Sequence, residues 1–168
     1  DKNLIPEISR LYNLQMARKI QMNSLYGALA SPYFRYYDLR MAEGITTSGQ
    51  LAIRWVSKYL NDYLNKACKT TGVDYCIYND TDSGYFTLEK LVELNWKDKS
   101  TEEIVKIVDK FCDQVLQKVI NKSYDDLALY MNAYQQKMIM KREVIADVGV
   151  FVAKKRYALN VHNSEGVQ

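Results

Sequence analysis

Apolar positions recur with the helical period over residues 6–26, through Ile8, Leu11, Tyr12, Met16, Ile20 and Leu25. Pro6 suits the first turn of such a helix, and Gly27 offers a stop. Residues 28–40 lose the period and gather Tyr33, Phe34, Tyr36 and Tyr37 around Pro32. The period returns more strongly over 41–67. There Ile45, Leu51, Ala52, Trp55, Val56, Tyr59, Leu60, Tyr63 and Leu64 form one apolar stripe and predict a long amphipathic helix. Residues 69–74 supply a break, with Gly72 as its cap. An apolar stretch at 75–78, a polar turn at 79–84 and a second stretch at 85–88 then read as a β-hairpin with an acidic tip. A helix follows at 101–122, striped by Ile104, Val108, Phe111, Val115 and Val119 and opened by Thr101, Glu102 and Glu103. Another at 124–137 carries Leu127, Met131 and Tyr134, and residues 144–152 and 156–161 read as strands. The order helices, hairpin, helices, hairpin predicts an α+β fold with a small antiparallel sheet packed on helices.

Composition narrows the function classes. A chain of 168 residues, 48% hydrophobic, buries enough surface for a core without disulfide or metal staples. With 23 Lys+Arg against 20 Asp+Glu, the net charge of +3 is not the footprint of a free-standing nucleic-acid binder. No apolar run reaches the ~20 residues of a membrane span, and no signal peptide opens the chain. Cys68, Cys76 and Cys112 stand at no metal-ligand spacing and read as small apolar fillers in a reducing compartment, which points to the cytoplasm. A single histidine, His162, rules out a zinc cluster and a His-based triad, and it reads as structural or exposed. The chain starts at Asp1 and stops at Gln168 without a capping element, so a piece of a larger protein with docking surfaces laid bare is expected.

Two stretches carry chemistry. In Asp80-Thr81-Asp82, carboxylates at i and i+2 project to one side of an extended chain. Unpaired they repel, and a hard divalent cation such as Mg²⁺ relieves the conflict while keeping positions for water and phosphate. A solvated acidic turn accounts for the same residues. An EF-hand does not, because counting from Asp80 it would place Gly84 at position 5, Tyr85 at position 6 and Leu91 at position 12. The second stretch puts Lys19, Asn23 and Tyr26 at i, i+4 and i+7, on one helix face. A point charge, an amide and a flat ring in that order match the triphosphate, sugar and base of a nucleotide. An ordinary amphipathic helix also fits.

Taken together, Lys19-x-x-x-Asn23-Ser24-x-Tyr26-Gly27 followed by Asp80-Thr81-Asp82-Ser83 in a hairpin resembles family B DNA polymerases, with the T-even-type bacteriophage replicative enzymes nearest in flavour. The first string is similar to motif B of the fingers and the second to motif C of the palm. Phe34-Arg35-Tyr36-Tyr37-Asp38-Leu39-Arg40, Lys141-Arg142-Glu143 and Lys154-Lys155-Arg156-Tyr157 extend the likeness over nearly the whole chain, the last resembling the K-K-R-Y element that follows motif C. The resemblance implies a C-terminal fingers helix at 1–27 and a palm subdomain at 28–168. One departure stands in motif C: where the family commonly has glycine before D-T-D, this chain has Asn79, a residue that tolerates left-handed turn geometry. The stretch between Glu143 and Lys154 is shorter than in the T-even enzymes.

Residue by residue, the resemblance implies that Asp82 ligates both catalytic metals, with Asp80 its partner and Glu143 an accessory carboxylate. Lys19 and Asn23 would contact the incoming triphosphate. Tyr26 would pack beneath the nascent base pair, with Gly27 allowing close backbone approach. Lys154, Lys155, Arg156 and Tyr157 would grip the primer end. The implied reaction is transfer of a nucleotide from dNTP to a primer 3′-hydroxyl on primer-template DNA. It uses two Mg²⁺ ions about 3.5–4 Å apart, with Mn²⁺ able to substitute. The upstream palm aspartate of motif A, pattern D-x-x-S-L-Y-P, has no counterpart here, nor have the other fingers helix, the exonuclease and most of the thumb. The chain alone is therefore expected to be inactive. The alternative is a non-catalytic nucleic-acid-binding or scaffold module with a polymerase-like palm, which divalent-metal dependence would distinguish.

Overall fold

The computed structural model of the protein describes residues 4–164. Five helices and two hairpins alternate in the expected α+β order. Helix α1 is Leu4–Leu29, α2 Leu39–Ala67, α3 Glu89–Asn95, α4 Thr101–Phe111 and α5 Gln117–Tyr130. Strands β1 (Cys76–Asp80) and β2 (Ser83–Phe86) form one antiparallel sheet, and β3 (Val144–Ala153) and β4 (Arg156–Ser164) form another. The chain divides into two compact units, Asp1–Ser48 and Gly49–Gln168.

In the first unit α1 runs two residues beyond Gly27, so that glycine does not stop the helix. A Cβ at Gly27 would meet nothing within 4 Å. No residue of α1 is buried, and Ile8, Leu11, Tyr12 and Ile20 of its apolar set all stand exposed. The aromatic-rich connection folds back on the helix end, with the Asp38 N–H donating to the Leu29 carbonyl at 3.1 Å. The Asp38 carboxylate then accepts from the Arg40 backbone and guanidinium, which holds it below the usual carboxylate range.

The second unit is built on α2. Ala52, Val56, Leu60, Leu64 and Cys68, four residues apart, are each 5% exposed or less. The first three pack with Tyr124 and Leu127 of α5, and the last two with Tyr75 and Leu91 of α3. Phe86, the last residue of β2, touches both groups. Two asparagines on α2 bond the chain that leads into β1. Asn61 accepts the Tyr75 N–H at 2.9 Å and donates to Asp74 at 2.7 Å, while Asn65 accepts from Val73 N–H and donates to its carbonyl. These side chains satisfy the backbone of residue 73 and the Tyr75 N–H, while the Tyr75 carbonyl accepts the Thr87 N–H at 2.9 Å, and together they fix where the hairpin begins.

Several boundaries differ from expectation for identifiable reasons. Helix α2 is closed by Lys69 at φ +53, not by Gly72. The Thr70 N–H reaches the Asn65 carbonyl and the Lys69 N–H reaches Lys66, which is a Schellman closure. The first hairpin turn is two residues long, because Asn79 and Asp80 pair with Gly84 and Ser83 and so lengthen both strands. The short α3 went unanticipated. The cap of α4 is Ser100, one residue earlier than Thr101, in a capping box with Glu103. Helical structure then continues to Tyr130, past Ser123, whose hydroxyl bonds back to the Ile120 carbonyl at 2.7 Å. A widened π turn at Cys112–Leu116 resets the register in between. The end comes at Tyr130, not 137, where Asn132 takes φ +51 and the Ala133 N–H reaches Ala128.

Arg142 ties the second hairpin down: its guanidinium bonds Asp109 of α4 and the Asn163 side-chain oxygen of β4. His162 pairs with Asp147 at 3.0 Å, and that bond lowers the Asp147 pKa. Of the cysteines only Cys68 is fully buried, although burial also pushes the Cys112 thiol up to about 11. Met140 packs against the core, whereas Met138 is exposed. Leu64→Ala is expected to cost about 2–5 kcal/mol in urea unfolding, because the site is sealed on all sides. Leu129→Ala, at an exposed position, is expected to stay within about 0.5 kcal/mol of the parent.

Candidate functional site

The Asp80-Thr81-Asp82 turn closes the first hairpin in the least space a chain allows. Asp80 pairs with Ser83, leaving Thr81 and Asp82 as the whole loop. Thr81 takes φ +50, and the Asp82 N–H donates to the Asp80 carbonyl at 2.6 Å. A β-branched residue in the left-handed region costs on the order of 1–3 kcal/mol, and such positions concentrate at working sites. The strand alternation expected to put both carboxylates on one side does not operate here, since β1 ends at Asp80 and Thr81 and Asp82 form the turn. The turn itself holds the two backbones together. Asp80 is half-buried and accepts the Thr81 hydroxyl at 3.0 Å, and Asp82 is exposed. Among the described residues neither carboxylate forms an ion pair.

Asn79 is not the left-handed residue. It lies in β1 opposite Gly84, and its Oδ1 sits 2.9 Å from where a Cβ on Gly84 would stand. Its amide lies 3.4 Å from the Ser57 hydroxyl of α2.

The second hairpin also has a two-residue turn. Ala153 pairs with Arg156, so Lys154 and Lys155 form the loop, with Lys155 at φ +63. Lys154, Lys155, Arg156 and Tyr157 are all exposed. This hairpin meets the first through four rings, one register pair from each. Tyr78 faces Tyr85 across β1/β2, and Phe151 faces Tyr157 across β3/β4. Ring centroids stand 5.3 Å apart for Tyr78–Phe151 and for Tyr85–Tyr157, within the range of favourable aromatic packing. The Tyr85 hydroxyl donates to that of Tyr157 at 2.8 Å, and the Tyr78 hydroxyl accepts the Lys155 N–H at 3.1 Å. Burial pushes the Tyr85 phenol up to about 12, helped by the bond to Tyr157 and by the negative charge of Glu143. Glu143 thus lies within electrostatic reach of the first hairpin, exposed at the entry to β3.

The structure therefore gathers the acidic turn, Glu143 and the cationic turn in one unit. It forms no group of three or more acidic, His or Cys side chains able to hold a metal among the described residues. Two carboxylates supply hard oxygen donors of the kind Mg²⁺ prefers, as part of a ligand set. Lys19, Asn23 and Tyr26 belong to the other unit, share one face of α1 and are exposed. Tyr78, Tyr85 and Phe151 escaped the sequence reading. Their signal was an aromatic in each strand two or three residues from a motif, in a chain with 14 tyrosines.

Comparison with known proteins shows the family. The family model for DNA polymerase family B matches residues 6–166. The chain is 41% identical over 164 residues to the DNA-directed DNA polymerase of Escherichia phage RB69, covering 92% of this chain and 18% of that one. It is 42% identical over 161 residues to the DNA-directed DNA polymerase of Enterobacteria phage T4, covering 90% and 18%. Against DNA polymerase II of Escherichia coli K12 it is 30% identical over 145 residues, covering 86% and 17%. The chain thus spans less than a fifth of the length of these relatives, and by the family match over nearly all of its residues it belongs to DNA polymerase family B.

Proposed function

We propose that this chain is part of a DNA-directed DNA polymerase and supplies one half of its nucleotidyl-transfer site. The observation that carries the reading is the pairing of two tight turns in one unit, one acidic and, among the described residues, without an ion pair, the other cationic and exposed. Residues 1–27 serve as the C-terminal fingers helix and residues 28–168 as palm. Asp80 and Asp82, with Glu143 as accessory, would hold divalent cations together with an aspartate from outside this segment. Such cations, when bound, supply Lewis-acid chemistry that lowers the pKa of the primer 3′-hydroxyl and steadies the leaving pyrophosphate.

The chain's own groups do the positioning. Lys19 neutralises charge on the triphosphate of an incoming dNTP, Asn23 bonds its polar edge, and Tyr26 offers a flat surface to the base pair. Gly27 leaves the backbone beside that ring open to close approach. Lys154, Lys155 and Arg156 meet primer phosphates, and Tyr157 lies against the primer end. In this class of reaction the protein contributes placement and electrostatics more than covalent chemistry. Among the described residues no helix is long and apolar enough to cross a membrane. We place the enzyme in the cytoplasm of an infected host.

Asp82→Ala in the intact polymerase is expected to abolish primer extension while leaving primer-template binding nearly unchanged; normal extension by the variant would sink the assignment. Lys155→Ala is expected to weaken primer-template binding and to reduce the slope of log K against log[salt] by about 1. An unchanged slope would remove the phosphate-gripping role. The 168-residue chain alone, lacking a motif A aspartate, is expected to show no templated incorporation with Mg²⁺ or Mn²⁺. A non-catalytic binding module predicts instead that DNA binding survives and that no divalent-metal dependence appears in the intact protein.

A further inference from the structure

The acidic and cationic turns are joined by contacts that lie in neither. Lys155 holds φ +63, a conformation a lysine does not adopt freely, and its N–H is not used within its own hairpin turn but donates 3.1 Å to the Tyr78 hydroxyl. Tyr78 stands two residues before Asp80 on β1, so one side chain connects the strand carrying the first carboxylate to the backbone of the cationic loop. Its ring is held on three sides, with centroids at 5.3 Å from Phe151, 6.0 Å from Tyr85 and 6.2 Å from Tyr157. A ring so enclosed has little freedom, and its hydroxyl is a fixed acceptor. The bond thus ties that hydroxyl to the backbone of Lys155 at its left-handed position.

We propose that Tyr78 is a positioning residue: through the Lys155 N–H it fixes the cationic turn relative to Asp80-Thr81-Asp82, so that a primer end gripped by Lys155 is presented to the carboxylates. This rests on the function proposed above, in which Lys155 contacts primer phosphate. Phenylalanine at 78 keeps the ring and its packing and removes only the acceptor.

The test is a double-mutant cycle in the intact polymerase, read as Kd for a fluorescein-labelled primer-template at fixed salt, with the thermal midpoint followed in parallel. Lys155→Gly removes the ammonium, keeps the N–H and accepts φ +63 without strain. Tyr78→Phe is expected to raise Kd about five-fold, the scale of one lost hydrogen bond. In the Lys155→Gly background the same change is expected to alter Kd by less than about two-fold, because the side chain it would have placed is gone. An equal loss in both backgrounds, together with a lowered thermal midpoint, would make Tyr78 merely structural and overturn the proposal. So would wild-type binding by Tyr78→Phe alongside weakened binding by Lys155→Gly. Wild-type binding by Lys155→Gly would instead bring down the DNA-gripping role of the lysine, and the positioning role with it.

Discussion

The side chains at Ala52, Val56, Leu60, Leu64 and Cys68 stand four residues apart on a helix that turns every 3.6 residues, so each step advances about 40° around the axis. Over the full row the buried line winds through roughly 160°. The middle of α2, at Ala52, Val56 and Leu60, therefore faces α5, and its end faces Tyr75 and α3. A straight stripe would have buried one partner. The winding row buries two, and the residue that touches both groups is Phe86 at the end of β2. The hairpin with the acidic turn is consequently seated where the two halves of the core meet. Asn61 and Asn65, also four apart on α2, secure its other end by bonding the chain before β1.

With the hairpin so placed, the rings decide what stands beside it. Each two-residue turn is too short to carry a core of its own, and each hairpin instead contributes one cross-strand aromatic pair to a shared cluster. Rings and hydroxyls make this contact, whereas the charges of the two turns do not. Among the described residues neither Asp80 nor Asp82 is ion-paired with Lys154, Lys155 or Arg156. Aromatic packing joins the two hairpins without using the charges of either turn.

Most of the architecture could be read from periodicity. The long amphipathic helix, both hairpins and their order follow from the spacing of apolar residues, because burial on one face is what such spacing encodes. Errors fell where closure depends on backbone conformation that side-chain pattern does not report. Lys69, Thr81, Asn132 and Lys155 all take positive φ, and only Asn132 is of a type that advertises it. At Lys69 the nearby Gly72 looked the better cap, and at Thr81 a longer polar run looked the better turn. The charged members of the candidate site were singled out by the family resemblance of their motifs, since an acidic turn by itself reads equally as a solvated one. Tyr78, Tyr85 and Phe151 were not, because an aromatic in a strand has the same pattern whether it fills a core or braces a neighbouring hairpin.

Asn79 shows how the motif tolerates its one departure. Tolerance of left-handed geometry is beside the point, since Asn79 is an ordinary strand residue and Thr81 carries the positive φ. What the asparagine needs is room. Gly84, its partner across the ladder, provides it: a Cβ there would stand 2.9 Å from the Asn79 Oδ1 and equally close to the Phe86 ring edge. A methyl group at 84 would have to displace both the Asn79 amide and the edge of the Phe86 ring that joins the two halves of the core. The side chain that 79 adds and the one that 84 lacks are therefore a single steric unit, resolved across the ladder one pair back from the turn. The bond from the Asp82 N–H to the Asp80 carbonyl lies beyond that pair, so the substitution leaves the carboxylate geometry to the turn alone.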